Sequence, residues 1–152
     1  MHIAIIGAGN VGRALATAFT RSGHSVAVTS RDADEAAVVA SATGARVVAS
    51  NVAAAKSADI VILAIPFDSA QVVADEIREA VGGKPVVDVS NRMTFGPTGP
   101  AIDAGPLSRA QQLEQLAFLN IALNATNGWG WESGWKLAGA PASDLRVERH
   151  AA

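Results

Sequence analysis

The chain has 152 residues, 49% of them hydrophobic, with 12 Lys and Arg against 14 Asp and Glu for a formal charge of −2. That length and apolar share suit one domain around a single core, and so small a charge excludes an electrostatic attraction to nucleic acid or to an anionic membrane. Cysteine is absent, which excludes disulfides, thiolate chemistry and cysteine-ligated metal, and no metal site is assigned.

The first element is an apolar run at residues 3–6 that feeds directly into Gly7-Ala8-Gly9-Asn10-Val11-Gly12. The run is too short for the central region of a signal peptide. No apolar segment approaches the roughly 18 residues that span a bilayer. A cytoplasmic protein is therefore expected.

A helical pattern follows the glycines, and a second strand is expected at residues 25–29. Strand, glycine-rich turn, helix and strand form the opening of a dinucleotide-binding βαβ unit. Gly7 permits the tight turn, Gly9 lets the backbone approach a pyrophosphate, and Gly12 lets the helix sit close on the sheet. The amides of Asn10 and Val11 begin the helix and face the phosphates, aided by the positive end of the helix dipole.

The second strand ends Thr29-Ser30-Arg31. An NAD binder carries an acid here, about 20 positions after the first glycine, to grip the ribose 2′-hydroxyl. Nothing acidic occupies the position. A guanidinium at Arg31 suits a forked contact with a 2′-phosphate, and Ser30 and Thr29 supply hydroxyl donors. NADP(H) is the expected cofactor. Asp32, with Glu35 three residues on, reads as a capping box opening the next helix.

That helix covers residues 35–43 and stops at Gly44. A short strand at 46–49, a short helix at 51–57 and an apolar strand at 59–65 follow. The last is apolar on both faces, as in the middle of a parallel sheet covered on each side by helices. Pro66 ends it. Asp68 or Ser69 then caps a helix to Val81, with Val72, Val73, Ile77 and Val81 on one face. Gly82-Gly83 breaks this helix before a fifth strand at 85–89. The expected fold is α/β: a Rossmann-like doubly wound parallel sheet, order 3-2-1-4-5, followed by a C-terminal helix or helices.

Ligands of such a sheet sit beyond the carboxyl ends of its strands, at the switch between the first and fourth. Ala64, Ile65 and Pro66 fall there on the adenosine or pyrophosphate side, with Phe67 placed to cover a ring or to fill core. Asn91 either hydrogen-bonds the nicotinamide ribose or amide, or is an ordinary turn amide.

Residues 1–91 resemble the N-terminal domain of the F420-dependent NADP reductases. The matching segments are Gly7-Ala8-Gly9-Asn10-Val11-Gly12, Thr29-Ser30-Arg31, Ala64-Ile65-Pro66 and Val87-Asp88-Val89-Ser90-Asn91. The resemblance implies that Ser30 and Arg31 bind the 2′-phosphate, with F420 or a flavin as second substrate. Asp103-Ala104-Gly105-Pro106-Leu107 and Gly134-Trp135-Lys136-Leu137 are similar to the end of related short members. Two departures stand out. Several strands and helices of the family are missing between Asn91 and Asp103, and Arg92 replaces the family's usual proline.

Residues 1–100 are thus expected to form the NADP-binding domain, and residues 101–152 a helical segment that dimerises the chain. Residues 107–126 read as a helix, preceded by Pro106, capped by Ser108 and apolar nearly all round. A fifth strand short of neighbours and an apolar helix both invite self-association, so a homodimer is expected. All three tryptophans lie at 129–135, covering the core or interface, or lining a substrate pocket.

The chain has no tyrosine or cysteine, and His2 and His24 open the first two strands. No catalytic residue is assigned. Three functions fit: an NADP(H)-dependent oxidoreductase passing hydride to an acceptor such as F420 or flavin, a non-catalytic NADP(H)-binding module, and an NADPH-dependent reductase of small imines or carbonyls.

Overall fold

A computed structural model describes residues 1–90, 93–97, 99–102 and 121–124. The chain runs β1 (His2–Ile6), α1 (Asn10–Arg21), β2 (Ser25–Thr29), α2 (Ala33–Thr43), β3 (Arg46–Val47) and α3 (Asn51–Ser57). It continues through β4 (Ile60–Leu63), α4 (Phe67–Val81), β5 (Val86–Asp88), β6 (Met93–Gly96), β7 (Gly99–Ile102) and β8 (Ile121–Asn124).

Alternation along β1 divides the core in two, because successive strand residues point to opposite faces. Ile3 and Ile5 join Val26 and Val28 on one face, packed against Ala16 of α1 and Ala36 and Val39 of α2. Ala4 and Ile6 join Val61, Leu63 and Val86 on the other, beneath Ala54 and Ala55 of α3 and Ala70, Ala74 and Ile77 of α4. Strand β4 supplies side chains to both faces and lies between β1 and β5, as its unbroken apolar run requires. The sheet is parallel throughout in the order β3-β2-β1-β4-β5-β8. The Rossmann-like order 3-2-1-4-5 is therefore present, with one strand added.

That added strand departs from the sequence reading. Residues 121–124, expected inside a long helix, pair with β5 through Val86↔Ile121, Val87↔Leu123 and Asp88↔Asn124. The open flank of β5 offers this segment a row of main-chain hydrogen bonds, and helix propensity is a weak prior against such tertiary pairing. Because β8 covers that flank, an exposed fifth strand is no ground for self-association. The rest of the expected 107–126 helix and the tryptophan segment lie outside the described residues. Residues 93–96 and 99–102, for which the sequence suggested no element, pair antiparallel as β6 and β7.

Helix α4 also differs in detail. Neither Asp68 nor Ser69 caps it. The helix starts at Phe67 with Pro66 at the cap position and no side-chain cap bond, while Asp68 sits in the first turn where the helix dipole favours an acid. Val72 points to solvent at 71% exposure, and the buried stripe is Ala70, Ala74, Ile77 and Val81. Val72 is two positions from Ala70 and Ala74 and five from Ile77, off the three- and four-residue spacing that shares a helical face, so it turns away from the stripe. Among the described residues no helix is long and apolar enough to cross a membrane.

Candidate coenzyme-binding site

The site is built where β1, β2 and β4 end. Gly7 leaves β1 with φ +115°, a conformation that favours glycine, and a Cβ there would collide with the Ala64 carbonyl oxygen. Its amide donates to the Thr29 carbonyl at 2.8 Å, and the Ala64 amide donates to the Ile6 carbonyl at 2.8 Å. These bonds fix the three strand ends to one another. Gly12 is needed for a related reason, since a Cβ on it would strike the carbonyl oxygen of Gly7. The close approach is thus between helix α1 and its own preceding turn, since a Cβ on Gly12 would meet Ile5 of the sheet only at an ordinary contact distance of 3.6 Å.

Gly9 differs from both. It is exposed, and a Cβ added to it would meet nothing within 4 Å. The backbone at Gly9 is therefore open to a ligand, at the start of a 12-residue helix with no side-chain cap bond and no acid in its first turn. Unmet amides and a positive dipole end suit a phosphate, so the turn fits a pyrophosphate.

A cleft of about 420 Å³ opens beside this turn, and Gly7, Gly9, Ser30, Arg31, Ile65 and Pro66 all line it. Ala64 also contributes to the wall. Six elements of the sequence expectation thus meet around one space, together with Ala64. Arg31 is exposed and has no hydrogen bond or ion pair among the described residues.

Other expected residues stand elsewhere. Thr29 is buried at 3% exposure and presents its carbonyl to Gly7 rather than its hydroxyl to the cleft. Asn10 lines a second cleft of about 400 Å³ between the starts of α1 and α2. Val11 is exposed on the first turn of α1, and Gly12 is buried beneath it. Phe67 opens α4, half-buried. Asn91 lies outside the described residues.

The structure adds residues that the sequence reading did not assign to the site. Glu35, Asn51 and Ser69 line the first cleft, and Arg13 and Glu35 the second. Asn51 and Ser69 lie in the first turns of α3 and α4, and first turns that follow sheet strands face the ligand edge. That rule would have found both. Asp32 caps α2 as expected, accepting from the amides of Asp34 at 2.9 Å and Glu35 at 3.3 Å. Glu35 does not complete the capping box. Its carboxylate instead accepts from the Ser30 hydroxyl at 3.3 Å, and that hydroxyl accepts from the Asp32 amide at 3.4 Å.

The sequence profile of the family described as NADP oxidoreductase, coenzyme F420-dependent, matches residues 2–92. The chain belongs to that family. Its matched span begins at β1 and ends just beyond β5, so it takes in every strand end that lines the cleft.

Solved structures agree on the fold. A protein from Arthrobacter sp. FB24, provisionally named an F420-dependent NADP-reductase, superposes with a TM-score of 0.66 at 24% identity, over 76% of this chain and 57% of that one. A hypothetical protein from Sinorhizobium meliloti is similar at 33% identity and a TM-score of 0.62, over 77% of this chain and 57% of that one. An imine reductase from Streptomyces aurantiacus matches at 26% identity and a TM-score of 0.59, covering 76% of this chain and 38% of that one. This chain therefore spans little more than half the length of the first two and well under half of the third. No curated protein matches the chain.

Proposed function

We propose that the cleft binds NADP(H) and that the chain supplies the nucleotide-binding part of an NADP(H)-dependent oxidoreductase. The carrying observation is the convergence of Ser30 and Arg31 with the Gly7–Gly9 turn and Ile65-Pro66 around one cleft. In this reading the open backbone at Gly9 and the start of α1 hold the pyrophosphate. Ile65 and Pro66 contact the adenosine side. Arg31 and Ser30 take the 2′-phosphate, where a guanidinium offers a charge-assisted, forked contact. Thr29 supports them through the backbone bond that holds Gly7.

Bound NADPH supplies a hydride to an acceptor such as F420 or a flavin. The protein's own work is to hold the coenzyme and orient it. A second reading, reduction of small imines or carbonyls, draws support from the likeness to an imine reductase. Such an acceptor needs a proton donor, and the described histidines, His2 and His24, lie at the opposite end of the sheet from the cleft.

The test is to incubate the protein with NADPH and, in turn, F420, FMN and small cyclic imines, following the loss of nicotinamide absorbance. Turnover with F420 or FMN supports the first reading, and turnover with imines alone supports the second. Tight NADPH binding with no turnover leaves a binding module. Absence of NADPH binding would overturn the coenzyme assignment itself.

A further inference from the structure

The acid that an NAD site places at the end of its second strand is missing from residues 29–31, yet a carboxylate still reaches that ground. Glu35 stands in the first turn of α2. Its amide is held by the Asp32 carboxylate at 3.3 Å, and its side chain turns back to accept from the Ser30 hydroxyl at 3.3 Å. Glu35 lines the cleft alongside Ser30 and Arg31. The same hydroxyl that would donate to a 2′-phosphate is therefore already donating to an anion.

We propose that Glu35 is a specificity-determining residue that holds down the preference for NADPH and gives NADH a foothold in the same cleft. The proposal rests on the coenzyme reading above. A 2′-phosphate entering beside Ser30 must displace the Glu35 carboxylate or sit next to it, and like charges at such separations repel. A ribose carrying a free 2′-hydroxyl meets no repulsion, because a carboxylate accepts a hydroxyl proton. Arg31 and Glu35 thus pull the coenzyme choice in opposite directions from the wall of one cleft. Asp32 lines the cleft as well, with its Oδ1 accepting from the two helix amides, so its charge adds to the repulsion while Glu35 alone accepts from the Ser30 hydroxyl.

The test measures dissociation constants for NADPH and NADH with the wild-type chain, E35Q, S30A and the double variant. Thermal unfolding is recorded for each variant to establish that it folds. E35Q removes the charge and keeps the size. NADPH is expected to tighten about fivefold in E35Q at low salt, with NADH unchanged or weaker. The gain shrinks as salt screens the repulsion. On the S30A background the E35Q gain is expected to be smaller, because the hydroxyl that links the carboxylate to the phosphate is gone. Equal changes for both coenzymes, or a weaker NADPH in E35Q, would overturn the role of Glu35 while leaving the cleft assignment intact. Failure of the wild-type chain to bind either coenzyme would instead overturn the underlying assignment, and this inference with it.

Discussion

The Gly7 amide donates to the Thr29 carbonyl oxygen across 2.8 Å, tying the glycine turn that ends β1 to the strand end that carries Ser30 and Arg31. The glycine turn and the exit of β2 are thus joined beside the cleft. Neither can shift without moving the other, and the buried Thr29 between them is structural for that reason.

The three glycines of the turn are expected to separate in their effects. Gly12→Ala drives a methyl into the Gly7 carbonyl and should cost about 1–3 kcal/mol of stability, as overpacking does. Gly9→Ala meets open space, so stability should change by no more than about 0.5 kcal/mol. Its methyl would nonetheless stand where the proposed site receives the pyrophosphate, and NADPH affinity should fall. Urea unfolding read beside NADPH titration checks both. Equal destabilisation by the two substitutions would contradict the geometry of the turn.

Arg31→Ala is expected to weaken NADPH by about 1.5–3 kcal/mol, the worth of a hydrogen bond to a charged group. NADH should be nearly unaffected. Paired titrations of the two coenzymes give the comparison, and an equal loss for both would refute the phosphate assignment.

Lys84 performs a purely structural task at the other end of the sheet. Its Nζ donates to the carbonyls of Ala55 and Lys56, each at 2.9 Å, closing the last turn of α3. Lys84→Met keeps the apolar stem and removes both bonds. It should lower stability by about 1–3 kcal/mol without altering coenzyme affinity, as measured by unfolding and titration on one sample.

Ile5 is fully buried at the centre of the sheet and packs in the cluster beneath α1 and α2. Ile5→Ala should cost about 2–5 kcal/mol, the range for emptying such a core position. Chemical denaturation provides the measurement.

Much of this molecule was legible in its residues because each local signal had one dominant physical cause. Unbroken apolar runs at β1 and β4 gave the central strands. The glycine turn declared itself because two of its positions admit no side chain, and Pro66 marked the exit of β4. What escaped the sequence was set by tertiary competition. Residues 121–124 fall inside a segment whose apolar spacing reads as helix, but the bonding row along β5 draws them into the sheet. Val72 stands five positions from Ile77, off the three- and four-residue spacing of one helical face, and its apolar character alone placed it on the buried stripe. Asp32 was readable as a cap, whereas the turn of Glu35 back to Ser30 depended on where β2 delivers that hydroxyl. Thr29 sits in the same short motif as Ser30, yet strand alternation buries one and leaves the next at the cleft.

An amide-resolved NMR titration with NADPH tests the coenzyme cleft most directly. Saturable shifts should centre on the amides of Gly7, Gly9, Ser30, Arg31 and Ile65, with little change along β3 or at Lys84. A spectrum unmoved by NADPH, or one whose shifts cluster away from the ends of β1, β2 and β4, would contradict it.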